Sequence, residues 1–278
     1  MLAFQEVLPT CLLTIIFLVR PILAVPLDIH YATSPPDPVP AKHLLHRGIL
    51  SERTDTPGGL WGANGVPDRA DLDQTSIPDC GLIATLGALV SQDPRWITNL
   101  FEFIGDAATT TAVTVKFKRG MTLEPITQTV QKSALDNVRS DAHEGWWVGA
   151  LEKAFVVNEG GIEGIFPDRV LEMIGGRPAA FKFASDGNMS GVAGTLTKDE
   201  YWNLIVQNAP KTPLILHSLT GATLLTGMHA FWIMAGHIDG KRWISLWNPH
   251  GENEVHDFDV VWPAIRGVHM FADLSMHP

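Results

Sequence analysis

The chain has 278 residues, 45% hydrophobic and 18% charged, a composition that excludes a disordered, collagen-like or disulfide-rich protein and supports a sizeable core. Its 20 Lys and Arg against 30 Asp and Glu give a formal charge of −10, with no basic run longer than two residues, which argues against nucleic-acid and anionic-membrane partners. The sequence also lacks Cys-x-x-Cys, His-Glu-x-x-His, a Gly-x-Gly-x-x-Gly turn and a phosphate loop, which sets aside metal, dinucleotide and nucleotide enzymes.

Val7 to Val19 (VLPTCLLTIIFLV) is a short apolar stretch, suited to the core of a signal peptide and too short for a comfortable membrane span. It ends near Pro21-Ile22-Leu23-Ala24, so residues 1–24 read as a signal peptide and the mature chain as secreted, away from the membrane. The missing positive charge before it and Glu6 leave a signal anchor as the alternative. Removing this segment removes Cys11 and leaves Cys80 as the single thiol, which in a secreted chain asks for a chemical role. Otherwise it is a small buried hydrophobe. The sequon Asn188-Met189-Ser190 fits the same route.

Residues 25–60, with six prolines and little apolar periodicity, read as a linker or pro-segment. From Gln74 the character changes. Cys80 opens an apolar run to Val90 that stops before Asp93-Pro94, which predicts a buried helix with the thiol at its first position. Further helices are expected over Trp146–Val157, stopped by Gly160-Gly161, and over Asp168–Ile174, stopped by Gly175-Gly176. Residues 61–195 are therefore expected to be mainly helical. Residues 196–278 read as antiparallel strands, with candidates at Pro213–Leu219, His229–Ile238 and Lys241–Trp247.

Asp239-Gly240 between the last two runs is a hairpin signal, and a two-residue loop there sets His229 opposite His250 and Phe231 opposite Asn248. His229 and Asn248 then become diagonal neighbours on one face, about 7 Å apart at the backbone and within side-chain reach.

A thiol at a helix N-terminus feels the positive end of the helix dipole, which favours the thiolate. Cys80 is thus a candidate nucleophile, with His229 as base and Asn248 as the group that orients it. Gln74 is positioned to donate its amide, together with the Cys80 N–H, to a developing oxyanion. Asp79 opposes this arrangement, because a carboxylate beside the sulfur disfavours the thiolate unless it points away or is neutralised. His217, His237, His256 and His269 read as surface or internally satisfied histidines, and the Trp residues as core and cleft wall.

Gln74 to Leu89 (QTSIPDCGLIATLGAL) resembles the active-site segment of calpain-type cysteine peptidases, with Gln, five residues, then Asp-Cys leading into an alanine- and leucine-rich helix. Trp147 to Phe155 (WVGALEKAF), the Gly175-Gly176 stop, His229-Ala230-Phe231 and Trp247-Asn248-Pro249-His250-Gly251 resemble further family segments in the same order. The resemblance spans about residues 70 to 255. It implies an α+β, papain-like fold, a helical subdomain followed by an antiparallel sheet subdomain with the active-site cleft between them. It also implies endopeptidase activity on protein or peptide substrates through Cys80, His229, Asn248 and Gln74.

Gly81 stands where the family has Trp, and His250 stands where a Trp usually shields the Asn–His pair. Calcium is the cofactor the family admits, although neither Asp71-Asp73 nor Glu159 to Glu163 has oxygen-ligand spacing, so no metal ligands are assigned. Amide transfer or deamidation through the same thioester is an alternative activity, and a catalytically weak or inactive papain-like binding protein is another.

Overall fold

Helix α1, Cys80–Gln92, begins and ends where the apolar run and Asp93-Pro94 predict, and Gly81 through Val90 are all buried. In the computed structural model the described residues are 58–62, 64–74, 76–119, 124–135, 145–185 and 194–274. The apolar segment with Cys11, residues 25–57 of the Pro-rich segment and the sequon at Asn188 lie outside them. A short α2, Arg95–Thr98, follows α1. α3 covers Trp147–Glu159 and stops where Gly160 takes φ 80°, and α4 covers Pro167–Gly175 and stops at Gly176 with φ 61°. Glycine at both stops adopts the left-handed turn without a Cβ clash.

The mainly helical expectation for residues 61–195 needs correction. β1 (Phe101–Glu102), β2 (Ala112–Arg119) and β3 (Glu124–Gln131) form a three-stranded antiparallel sheet within it. The signal was present in the period-two alternation of β2, whose Val113, Val115 and Phe117 are buried while Lys116 and Lys118 are exposed.

The larger sheet runs in the order β5 (Thr195–Leu196), β4 (Ala179–Ala184), β10 (Ile265–Phe271), β6 (Leu214–Ser218), β7 (Ala230–Asp239), β8 (Lys241–Asn248), β9 (Glu252–Asp257). It is not wholly antiparallel, because β5 pairs parallel with β4. Two helices, α5 (Lys198–Asn208) and α6 (Phe258–Val261), interrupt the strand-rich second half. α5 starts on a capping box in which Thr197 and Glu200 satisfy each other's backbone N–H groups. The whole is an α+β architecture.

The seven-stranded sheet separates two hydrophobic cores. Ile215, Ala230, Trp232, Trp247 and Phe271 project from one face into the core that holds α1, α3, α4 and β2. Leu214, Leu216, Phe231, Ile233, Ile244 and Leu246 project from the other face, into the core completed by residues of α5 and α6. α1 lies close to the sheet because Gly87 has no side chain: a Cβ there would sit 2.5 Å from the Trp247 ring.

The β7–β8 hairpin departs from the expected two-residue loop. Gly240, at φ 64°, turns the chain so that Asp239 faces Lys241, one step out of the anticipated register. An irregularity between Ile233 and Ala235 then absorbs that step, and Ile233 faces Leu246 while Trp232 faces Trp247, as the sequence reading requires near the site.

Candidate active site

Four segments converge at the N-terminal end of α1. The Gln74 backbone N–H donates to the Pro249 carbonyl at 2.7 Å, and His250 Nδ1 lies 2.8 Å from the Gln74 carbonyl. These bonds stitch the loop that enters α1 to the turn that follows β8. On the other side, the Gly164 N–H donates to the Pro78 carbonyl at 2.8 Å, which holds the loop before α4 against the same helix end.

His229 is buried, and its Nε2 lies 2.9 Å from Asn248 Oδ1. The direction of this bond follows from the next group along. Asn248 Nδ2 donates to Glu254 Oε1 at 2.8 Å, and the His250 N–H approaches Asn248 Oδ1 at 3.2 Å, so Oδ1 must be the atom that faces the imidazole. His229 Nε2 therefore carries the hydrogen and Nδ1 carries the lone pair of a base. The N–H of Ala230, the residue after the base, is near enough to the Cys80 sulfur to favour its thiolate. The structure thus joins His229 to Asn248 and sets Cys80 near the residue that follows the base.

Gln74 joins them only in part. Its Nε2 donates to the Ile77 carbonyl at 2.7 Å, which anchors the buried carboxamide and leaves one Nε2 hydrogen for an oxyanion.

The expectation of a thiolate at rest is corrected by the burial. Loss of solvent pushes the Cys80 thiol up, against the pull of the Ala230, Gly81 and Cys80 N–H groups. Burial also lowers His229, although its bond to Asn248 favours the protonated ring. Both shifts favour a neutral thiol beside a neutral imidazole, with the proton moving when the sulfur attacks.

Asp79 opposes the thiolate only to the extent that it ionises: its charge pushes the Cys80 thiol further up. Its side chain makes no cap bond to α1 and is fully buried near Glu152, which is itself fully buried. Burial first, then the charge of Glu152 and a hydrogen bond with it, push the Asp79 carboxyl up to about 8. At neutral pH it is a carboxylic acid, so no full negative charge sits next to the sulfur.

The surroundings of Gly81 and His250 account for the residues found there. A Cβ on Gly81 would lie 2.0 Å from the Ile165 carbonyl oxygen, because the loop before α4 passes directly over this position. His250 takes the place of a shielding ring. It stacks on His229 with centroids 5.3 Å apart and planes 6° apart, anchored through its bond to Gln74.

Several contributors escaped the sequence reading. Ser218 fixes the His229 backbone from β6: its Oγ accepts from the His229 N–H at 2.9 Å, and its own N–H donates to the His229 carbonyl at 2.9 Å. Met228, immediately before the base, has φ 51°, a left-handed conformation that side-chain-bearing residues adopt at a cost of about 1 kcal/mol or more. Glu254 was legible only as a polar strand residue. His256 is a satisfied histidine, as anticipated, but its partner was not anticipated: its Nε2 lies 2.8 Å from Glu254 Oε2 and holds that carboxyl below its usual range.

The chain matches no protein-family model and no curated protein. Chemical reasoning about the site therefore rests on its own geometry.

The acidic stretches considered for calcium are committed elsewhere. Asp71 accepts from Trp147 Nε1 at 2.7 Å, Glu159 pairs with Arg169 at 2.9 Å, and Glu163 accepts from the Ile162 N–H at 3.2 Å. They do not converge, and among the described residues no group of three or more His, Cys, Asp or Glu side chains is arranged to hold a metal ion.

Proposed function

We propose that this chain is a secreted cysteine endopeptidase with a papain-like fold, similar to a calpain catalytic core, that acts on protein or peptide substrates without a cofactor. The observation that carries this reading is the arrangement around the base: the Ala230 N–H near the Cys80 sulfur, and the bond from His229 Nε2–H to Asn248, whose carboxamide Glu254 orients.

In the proposed reaction the Cys80 sulfur attacks a peptide carbonyl while His229 Nδ1 takes its proton. The Cys80 N–H and the remaining Gln74 Nε2 hydrogen stabilise the oxyanion. Collapse expels the amine, which leaves with the proton from His229, and forms a thioester on Cys80. Water, deprotonated by the same imidazole, then releases the acid and restores the thiol. Asn248 keeps the ring in the tautomer that presents Nδ1 throughout.

The test is cleavage of a fluorogenic peptide library by the chain and by Cys80→Ala. Activity lost in a variant with unchanged circular dichroism, together with a thioester adduct on Cys80 seen by mass spectrometry, supports peptidase chemistry. Ammonia released from glutamine-containing proteins without backbone cleavage moves the reading to amide transfer or deamidation. The raised thiol favours a second reading, a catalytically silent binding protein, and absence of any adduct on Cys80 decides for it.

A further inference from the structure

Near the nucleophile stands a second set of polar groups in contact with one another that the proposed reaction does not use. His217 on β6 and His269 on β10 occupy neighbouring strands, with His217 Nδ1 3.3 Å from His269 Nε2. His269 Nδ1 lies 3.2 Å from Asp168 Oδ1 in the first turn of α4. His217 faces Ala230 across the β6–β7 ladder, and Ala230 is the residue whose N–H lies near the Cys80 sulfur. The three-membered chain therefore ends one strand away from the reacting sulfur.

The walls are aromatic. Phe166, 51% exposed, sits 6.0 Å from the His217 ring and 6.2 Å from the His269 ring, and Phe181 lies 4.3 Å from His269. The packing of Ile165 over Gly81 fixes the Phe166 loop next to the nucleophile.

The charge of Asp168 favours one set of tautomers along the chain. Asp168, a carboxylate whose Oδ1 lies 3.2 Å from His269 Nδ1 without meeting hydrogen-bond alignment, repels a lone pair there and so favours the tautomer with the hydrogen on His269 Nδ1. A neutral ring has one N–H, so His269 Nε2 accepts and His217 Nδ1 donates to it. Burial keeps both rings neutral, and Arg266 nearby opposes a positive charge on either. His217 Nε2 is left as a bare lone pair. It makes no hydrogen bond among the described residues, and His217 keeps 9% exposure.

We propose that His217 Nε2 is the specificity acceptor of this site and reads a neutral hydrogen-bond donor on a flat substrate side chain lying against Phe166, the hydroxyl of tyrosine or the indole N–H of tryptophan. A carboxylate offers no donor, and an ammonium or guanidinium group meets Arg266. A phenyl ring against Phe166 would leave the lone pair unpaired, a mismatch that sites built around a buried polar group reject. The proposal rests on the thiol-hydrolase reading for its substrate but not for its tautomer.

Two measurements test it. In the Cys80→Ala full-length chain labelled with 15N at histidine, two-bond 1H–15N spectra at pH 7 are expected to show His217 protonated at Nδ1 and bare at Nε2; a protonated Nε2 overturns the proposal. Peptides that differ only as Tyr against Phe are then compared at each position, by kcat/KM on the active chain and by Kd on Cys80→Ala. At one position Tyr is favoured about tenfold, and in His217→Leu the ratio falls to one or below. His217→Phe keeps a flat ring in place and serves if the leucine variant does not fold. The Tyr/Phe ratio cancels any general loss of activity. A ratio that survives either folded variant overturns the proposal, whereas absence of cleavage with the Kd ratio intact overturns only the peptidase reading.

Discussion

Among individual residues, Asp79 shows how burial reverses an electrostatic expectation. Beside the sulfur an ionised carboxylate suppresses the thiolate, but Asp79 is fully buried near Glu152 and its carboxyl is pushed up to about 8 from an ordinary 3.8. The folded chain thus holds this proton more tightly than the unfolded one. The associated stability is fully present below about pH 4 and is lost as pH rises through about 8. Asp79→Asn removes the ionisation and is expected to raise stability at pH 7 by about 2–4 kcal/mol. Thermal melts of both proteins at pH 4, 7 and 9 check this, and a difference that does not grow with pH contradicts it. Glu254 acts one bond further from the chemistry, as a positioning residue. Glu254→Ala frees the Asn248 carboxamide to flip, so kcat/KM is expected to fall about tenfold. Because the lost carboxylate also favoured protonated His229, the acid limb of the pH–rate profile moves to lower pH. Glu254→Gln, whose amide oxygen still accepts from Asn248, restores the rate but not the limb.

At the scale of elements, the site depends on two close approaches and one irregular ladder. Gly81 lets the loop before α4 cross the first turn of α1, so Gly81→Ala is expected to cost about 3 kcal/mol, read from urea unfolding. An unchanged midpoint would mean that the loop moves freely aside. The irregularity between Ile233 and Ala235 matters because a one-residue slip sends every side chain to the opposite face. Local sequence located both β7 and β8, a turn at Asp239-Gly240 though not its one-residue loop, and the meeting of His229 with Asn248. It could not give the compensation, since the one-step offset at Gly240 and the irregularity near Met234 are set by packing against both cores rather than by propensity. The sheet of β1 to β3 was legible in principle, as the alternation of β2 demonstrates, but β3 carries mostly exposed and half-buried residues and has little hydrophobic signal of its own.

For the molecule as a whole, the seven-stranded sheet contributes side chains to both cores, so neither core can melt without exposing a face of the other's support. Unfolding is expected as a single calorimetric transition, with equal calorimetric and van't Hoff enthalpies. Among the described residues both cores run from Leu60 onward, and comparing the melting temperature of a chain beginning at Gly58 with that of the full protein tests whether these residues suffice. If residues 25–57 act as an inhibitory pro-segment, that shortened chain turns over peptide faster than one beginning at residue 25; equal rates dismiss the inhibitory role.

The sequence by itself determined the order Gln74, Cys80, His229, Asn248, the placement of the thiol at the start of a buried helix and the strand pairing that delivers an imidazole to a carboxamide. These follow from periodicity, caps and alternation, which act over a few residues. Only the tertiary structure decided which imidazole nitrogen bears the hydrogen, that burial pushes the Asp79 carboxyl up, that the space over residue 81 admits no Cβ, and that Asp168, His269 and His217 line up in contact. Each of these depends on burial or on contacts between segments far apart in the chain, where desolvation and hydrogen-bond direction are set by neighbours that no local pattern names.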